Sequence, residues 1–176
     1  LKWIDYITNA GKGYSYGFEW EMTWQLQDNL RIASSLGLLK TKVTQYNNLD
    51  SESFNLKNRE VAHAPQYSFA TSVQYALTDK LSATIELEGK DKFYYSDSHN
   101  YQSQAYNLIN ARLVYSVESY ELTAFINNAT DKEYGVRGFD FTGWDQDPRS
   151  GEGYDDVQFE QLGAPKVIGL SVRADF

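Results

Sequence analysis

Residues 14–27 read Tyr-Ser-Tyr-Gly-Phe-Glu-Trp-Glu-Met-Thr-Trp-Gln-Leu-Gln. The even positions, Tyr14, Tyr16, Phe18, Trp20, Met22, Trp24 and Leu26, are all apolar or aromatic, whereas Ser15, Gly17, Glu19, Glu21, Thr23, Gln25 and Gln27 are polar or glycine. A period of two puts successive side chains on opposite faces of a β-strand, so one face here is greasy and the other wet. At about 3.3 Å per residue and a tilt near ~45°, such a strand crosses the apolar band of a bilayer with residues to spare. Large apolar groups along a whole face, two of them Trp, suit lipid better than the thin core of a small soluble sandwich. The stretch predicts a transmembrane β-barrel strand.

Outward from it, the same alternation recurs. Leu30, Ile32, Leu36 and Leu38 oppose Arg31, Ala33, Ser35 and Gly37; Tyr67, Phe69, Val73, Tyr75 and Leu77 oppose Gln66, Ser68, Ser72 and Gln74. Leu81, Ala83, Ile85 and Leu87 oppose Ser82, Thr84, Glu86, Glu88 and Lys90. Further strands carry Ile109 to Tyr115, Tyr120 to Ile126, and Ile168 to Phe176, and Leu1 to Thr8 reads as the end of an earlier one. The total is eight strands, the first incomplete, with a turn at 9–13 and neither an α-helix nor a second domain. Connections at 27–29, 78–80 and 117–119 are short, and those at 46–64, 96–103 and 135–163 are long and polar. Short turns at one end and long loops at the other are the pattern of an antiparallel up-and-down barrel.

Composition agrees. The chain has 176 residues, 15% of them aromatic, with 14 Tyr and 4 Trp of the kind that line membrane interfaces. The mean hydropathy of -0.57 is compatible with insertion, because lumen residues offset lipid-facing ones in any average. A net charge of -8 with no Lys/Arg-rich stripe argues against nucleic acid, and the absence of Cys removes disulfide and thiolate chemistry. The start at Leu1, without Met or a leader-like segment, is expected of a processed chain or a piece of a longer one.

Several stretches, in order, resemble the C-terminal part of a TonB-dependent outer-membrane receptor. These are Asn9-Ala10-Gly11 followed by Gly17-Phe18-Glu19, Ala64-Pro65-Gln66-Tyr67-Ser68, Tyr106 to Arg112, Asn127-Asn128-Ala129-Thr130-Asp131-Lys132-Glu133-Tyr134, and Ala164-Pro165 before a closing strand that ends on Phe176. Asn128-Ala129-Thr130 departs from the family's usual Leu-Phe, and Ala174 stands where an aromatic is common. The resemblance implies that residues 1–176 are a single barrel segment, the last third of a barrel of about 22 strands, with the plug domain and earlier strands outside this chain. It also implies a cell outer membrane location in a Gram-negative bacterium, and active uptake of a scarce ligand, most often a ferric siderophore. The implied partners are lipid, the plug, TonB through the plug, and the barrel assembly machinery, which reads a terminal aromatic such as Phe176.

Two groups of residues are candidates for function. Glu19, Glu21, Glu86 and Glu88, with Arg112, lie on the wet face; the resemblance implies that the carboxylates meet plug arginines, and the plain alternative is a wet lumen wall. The segment Asp140 to Glu160 holds seven acids against Arg149 alone. Phe141, Trp144 and Tyr154 among Asp145, Asp147, Asp155 and Asp156 fit ligand capture at a barrel mouth. The four Asp also offer oxygens to Ca²⁺, though no spacing defines a metal site, and charge runs usually only solvate. No cofactor is called for. His63 and His99 are not organised with a nucleophile, and no catalytic motif occurs, so an enzyme is not expected. A passive porin-like channel or small structural barrel is the alternative, and a soluble β-domain would leave the Tyr14–Leu26 face unexplained.

Overall fold

A computed structural model of the chain describes residues 11–46, 56–140 and 158–175. The described residues form strands β1 (Gly11–Gln27), β2 (Leu30–Tyr46), β3 (Tyr67–Ala76), β4 (Leu81–Lys90), β5 (Tyr106–Val117), β6 (Tyr120–Asn127), β7 (Gly135–Asp140), β8 (Gln158–Leu162) and β9 (Val167–Ala174), and no helix. Seven strands make one sheet in the order β1-β2-β3-β4-β5-β6-β9, antiparallel throughout, while β7 and β8 pair as a separate hairpin. The sheet is open, with β1 and β9 at its margins, as a portion of a barrel wall should be.

These seven strands are the ones the alternation marks; the eighth, Leu1–Thr8, lies outside the described residues. Three boundaries differ from expectation. Gly11 to Gly13, expected in a turn, belong to β1, and β2 runs on to Tyr46 although its alternation fades after Leu39. The segment 135–163, expected to be loop, begins and ends as the two strands of a hairpin.

Register confirms which face is which. Trp24, Ile32, Val73, Ile85, Ala111, Ile126 and Ile168 stand side by side in one row across all seven strands. Directly paired residues of antiparallel strands share a face, so the apolar sides form one continuous outer surface. Its side chains are bare: Ile168, Leu170 and Val172 on the margin strand are 72%, 84% and 67% exposed. Without a covering lipid such a surface is unfavourable, since burying apolar area is the main driving force of folding.

The buried hydrophobic residues among those described are Leu56, Phe93, Tyr95, Tyr106 and Leu108, all at or beside the long-loop end. The side-chain core therefore sits in the loops and on the wet face of β5 beside them, and not on the outer surface. One clasp joins the two. The turn after β6 puts Asn128 and Asp131 at φ of 48° and 54°, a left-handed conformation that Asn and Asp tolerate best among side-chain-bearing residues. Buried Asn128 donates through Nδ2 to the Lys132 and Ala164 carbonyls (2.9 and 3.1 Å) and accepts from the Lys132 amide at 2.8 Å. Asp131 accepts from the Lys166 amide at 2.9 Å. The segment 127–134, singled out for its resemblance, thus ties the exit of β6 to the entry of β9.

Candidate functional site

The wet face carries a trough. Glu21, Ser35, Ala70 and Glu88 form one row across β1 to β4; Glu19, Gly37, Ser68 and Lys90 form the row nearer the loops, and Thr23, Ala33, Ser72 and Glu86 the row nearer the turns. On β2 and β3 every one of these positions is Gly, Ala or Ser. Small side chains make a low floor, and the carboxylates of β1 and β4 stand as walls roughly 14 Å apart, three strand spacings. The resulting hollow is lined by Glu21, Thr23, Ala33, Ser35, Ala70, Ser72, Glu86, Glu88 and Asn110.

Arg112 reaches Glu86 at 4.0 Å, with both side chains about half exposed (53% and 44%), a loose pair that contributes about 0–1 kcal/mol. Glu19, Glu21 and Glu88 make no ion pair among the described residues. The trough is thus a set of acids with capacity to spare for a cationic partner, over a floor that lets the partner's backbone come close. Nothing in it resembles a nucleophile with an oriented base.

At the mouth, three connections that are far apart in sequence pack into one layer. Arg59, from the β2–β3 connection, is almost fully buried, with a side-chain exposure of 6%. Its guanidinium donates to the Ser96 and His99 carbonyls (2.7 and 2.5 Å), Asn100 Oδ1 (3.2 Å) and Asp97 Oδ1 (3.3 Å), all in the β4–β5 connection, and lies 4.3 Å above the Tyr94 ring. Burial lowers its pKa and Asp97 pulls it back up; a guanidinium so far above neutral stays charged. Thr41, near the end of β2, accepts from the Val61 amide at 3.1 Å.

Tyr95 links this layer to the β7–β8 hairpin. Its ring meets Phe93 and Tyr101 edge-on at 5.5 and 5.1 Å, and its hydroxyl donates to Glu160 Oε1 on β8. Burial and the Glu160 carboxylate together push the phenol pKa up, so the hydroxyl remains a donor. The hairpin fits because Gly135 and Gly138 have no side chain: a Cβ on Gly138 would lie 2.2 Å from the Tyr95 ring. Burial, helped by nearby Arg59, lowers the pKa of His99, while Asp140 and the Gly138 carbonyl act in the opposite sense. Below, Tyr134 packs on inward-facing Tyr106 at 4.4 Å, and Lys90 lies over Phe93 and Tyr106.

The structure therefore brings Glu19, Glu21, Glu86 and Glu88 around one trough, with Arg112 at its margin beside Glu86. Phe141, Trp144, Asp145, Asp147, Tyr154, Asp155 and Asp156, and the terminal Phe176, lie outside the described residues. Among the described residues no group of His, Cys, Asp and Glu is arranged to hold a metal ion. Sequence reasoning passed over Arg59 and Tyr95, and met Asn128 only as a departure from the family pattern. The available signal was two glycines, Gly135 and Gly138, spaced to receive a ring.

No protein-family model matches the chain. Solved structures do. The ferric yersiniabactin uptake receptor FyuA of Yersinia pestis aligns with a TM-score of 0.75 at 19% identity, over 96% of this chain and 24% of that one. The siderophore receptor PiuA of Acinetobacter baumannii aligns at 0.73 and 17%, over 93% and 22%. The ferric-catecholate import receptor Fiu of E. coli K12, in its closed form, aligns at 0.69 and 16%, over 94% and 21%. The fold is thus a portion of the antiparallel barrel that TonB-dependent receptors share. The chain spans between a fifth and a quarter of the length of these receptors.

Proposed function

We propose that this chain is the C-terminal part of a TonB-dependent receptor that takes up a scarce ligand across a Gram-negative outer membrane, without enzymatic chemistry of its own. The observation that carries the reading is the acid-walled trough on the wet face of a receptor-type barrel wall. Three of its carboxylates make no ion pair within the described chain, and its floor is low enough to admit the backbone of another domain. An internal plug presenting arginines is the partner with that shape and charge, and charge-assisted bonds to it would hold the plug against the wall. A ferric siderophore is the ligand class that the similar receptors, for ferric yersiniabactin, a siderophore and ferric catecholates, favour. The acidic, aromatic segment around Trp144 and Tyr154 is the part of this chain proposed to meet it, and Phe176 is proposed as the mark read during barrel assembly.

The test is the Glu19→Gln/Glu21→Gln double variant of the full-length protein. A plug held by these carboxylates should loosen, giving ion conductance in planar bilayers where the unaltered protein is nearly silent, together with slower uptake of a labelled ferric siderophore. Unchanged silence and unchanged uptake would remove the plug-holding role.

A further inference from the structure

The outer face of the sheet carries charge at one end only. Through the paired registers of the seven strands, the outward positions are apolar, hydroxyl, amide or glycine, except for Lys40 and Lys42 on β2 and Lys12 on β1. Lys40 pairs with Tyr16 and Lys42 with Tyr14, and Lys12 continues the same face of β1. Tyr14 and Tyr16 stack at 5.7 Å between centroids. No carboxylate pairs with any of the three lysines among the described residues, in a chain whose net charge is -8.

Height identifies what these lysines meet. From Leu30 at the short turn to Lys40 is ten residues of strand, or roughly 23 Å along the membrane normal at the usual rise and tilt. The apolar band of such a barrel is about 25 Å tall. Lys40 therefore stands where hydrocarbon gives way to headgroups, on the loop side, with Lys42 just beyond and the two tyrosines as the aromatic girdle between them. Flexible ammonium groups at that level seek anions in the plane of the membrane, and the aromatic surface beside them suits the sugar or acyl shoulder of a lipid.

We infer that Lys40 and Lys42, with Tyr14 and Tyr16, bind the phosphate-bearing headgroup of an anionic glycolipid in the leaflet on the loop side of the membrane. The inference rests on the membrane-spanning reading of the sheet. It also accounts for the length of β2: after Leu39 the strand continues where there is no more hydrocarbon to cover, with its outward residues turned basic.

Native mass spectrometry of the full-length protein in detergent tests it, with bisphosphorylated lipid A, dephosphorylated lipid A and phosphatidylcholine as probes. The unaltered protein should retain the phosphorylated lipid about tenfold better than the dephosphorylated one, and Lys40→Gln/Lys42→Gln should lose that preference. Lys40→Arg/Lys42→Arg should keep it, and raised salt should erode it in the unaltered protein, a reading that needs no variant. Equal retention of the two lipids, or a Gln variant that matches the unaltered protein, would overturn the assignment. Displacement by inorganic phosphate where sodium chloride of equal ionic strength has no effect would also overturn it, in favour of a free-phosphate site. A full-length protein soluble without detergent would refute the membrane reading itself, whereas one that needs detergent but ignores phosphate refutes only the lysine assignment.

Discussion

The wall and the mouth of this molecule are built on opposite plans. On the wall, β1 to β6 and β9 are joined by backbone ladders, and outward side chains such as Ile168 and Leu170 are covered by nothing among the described residues. At the mouth, ladders are short or missing and side chains do the joining: Arg59 spans two connections, and Tyr95 fastens a third. Each part draws its stability from a different source. The wall depends on a solvent it does not contain, and the mouth on a core of its own.

Substitutions sharpen that contrast. The largest effect is expected on the wall: Ile85→Arg, near the middle of the apolar band, should cost about 3 kcal/mol in the unfolding free energy of the full-length protein in lipid vesicles. Gln74→Arg, on the wet face of the neighbouring strand and opposite Arg31, should cost no more than about 1 kcal/mol, the repulsion between the two guanidinium groups included. Similar costs at the two positions would mean that the two faces meet the same medium, and the division into lipid and lumen sides would fail.

Arg59→Ala comes next. It strips the Ser96 and His99 carbonyls of a charged donor and should destabilise the mouth by about 2 kcal/mol. Amide hydrogen exchange should then speed up between Tyr94 and Ser103 while β4 and β5 keep their protection. Loss of protection in the strands as well would show that wall and mouth unfold together and share one source of stability.

The smallest effect is a pH response confined to the mouth. Burial places the pKa of His99 below the ordinary value near 6.5, so the open form of the loop binds the proton more readily than the packed form. The stabilisation is complete only well above about pH 6.5 and declines as the pH falls through that value, levelling off once the packed form is also protonated. Protection of residues 94–103 should fall between about pH 7 and pH 5, and His99→Gln should flatten the response.

The same contrast explains what could be read from the sequence. Wall strands obey a period of two because one face meets lipid for their whole length, so Trp24, Ile32 and Val73 announce their side directly. The pattern lapses where the medium changes: beyond Leu39 the outward residues Lys40 and Lys42 are charged, and the strand continues to Tyr46 unmarked. Gly135-Val136-Arg137-Gly138-Phe139-Asp140 shows no alternation because its faces are decided by Tyr95 and Glu160, contacts made across long separations. Arg59 was invisible for the same reason, its partners lying about forty residues away in the chain. The acids of the trough could be placed on the wet face from parity alone. The low floor between them could not, because it needs the register that sets Gly37 beside Ser68 and Ala70 beside Glu88.

The topology carries a consequence for how such walls change over evolutionary time. Each strand of the sheet bonds only to the strands next to it, and consecutive strands are neighbours except where β7 and β8 intervene between β6 and β9. A hairpin is therefore a self-contained module. One more or one fewer alters the circumference of a closed ring by about 10 Å, two strand spacings, and leaves every other pairing intact. The β7–β8 pair shows the milder version of the same freedom: it interrupts the chain between two wall strands, and β6 and β9 still meet residue for residue from Tyr120–Ala174 to Asn127–Val167.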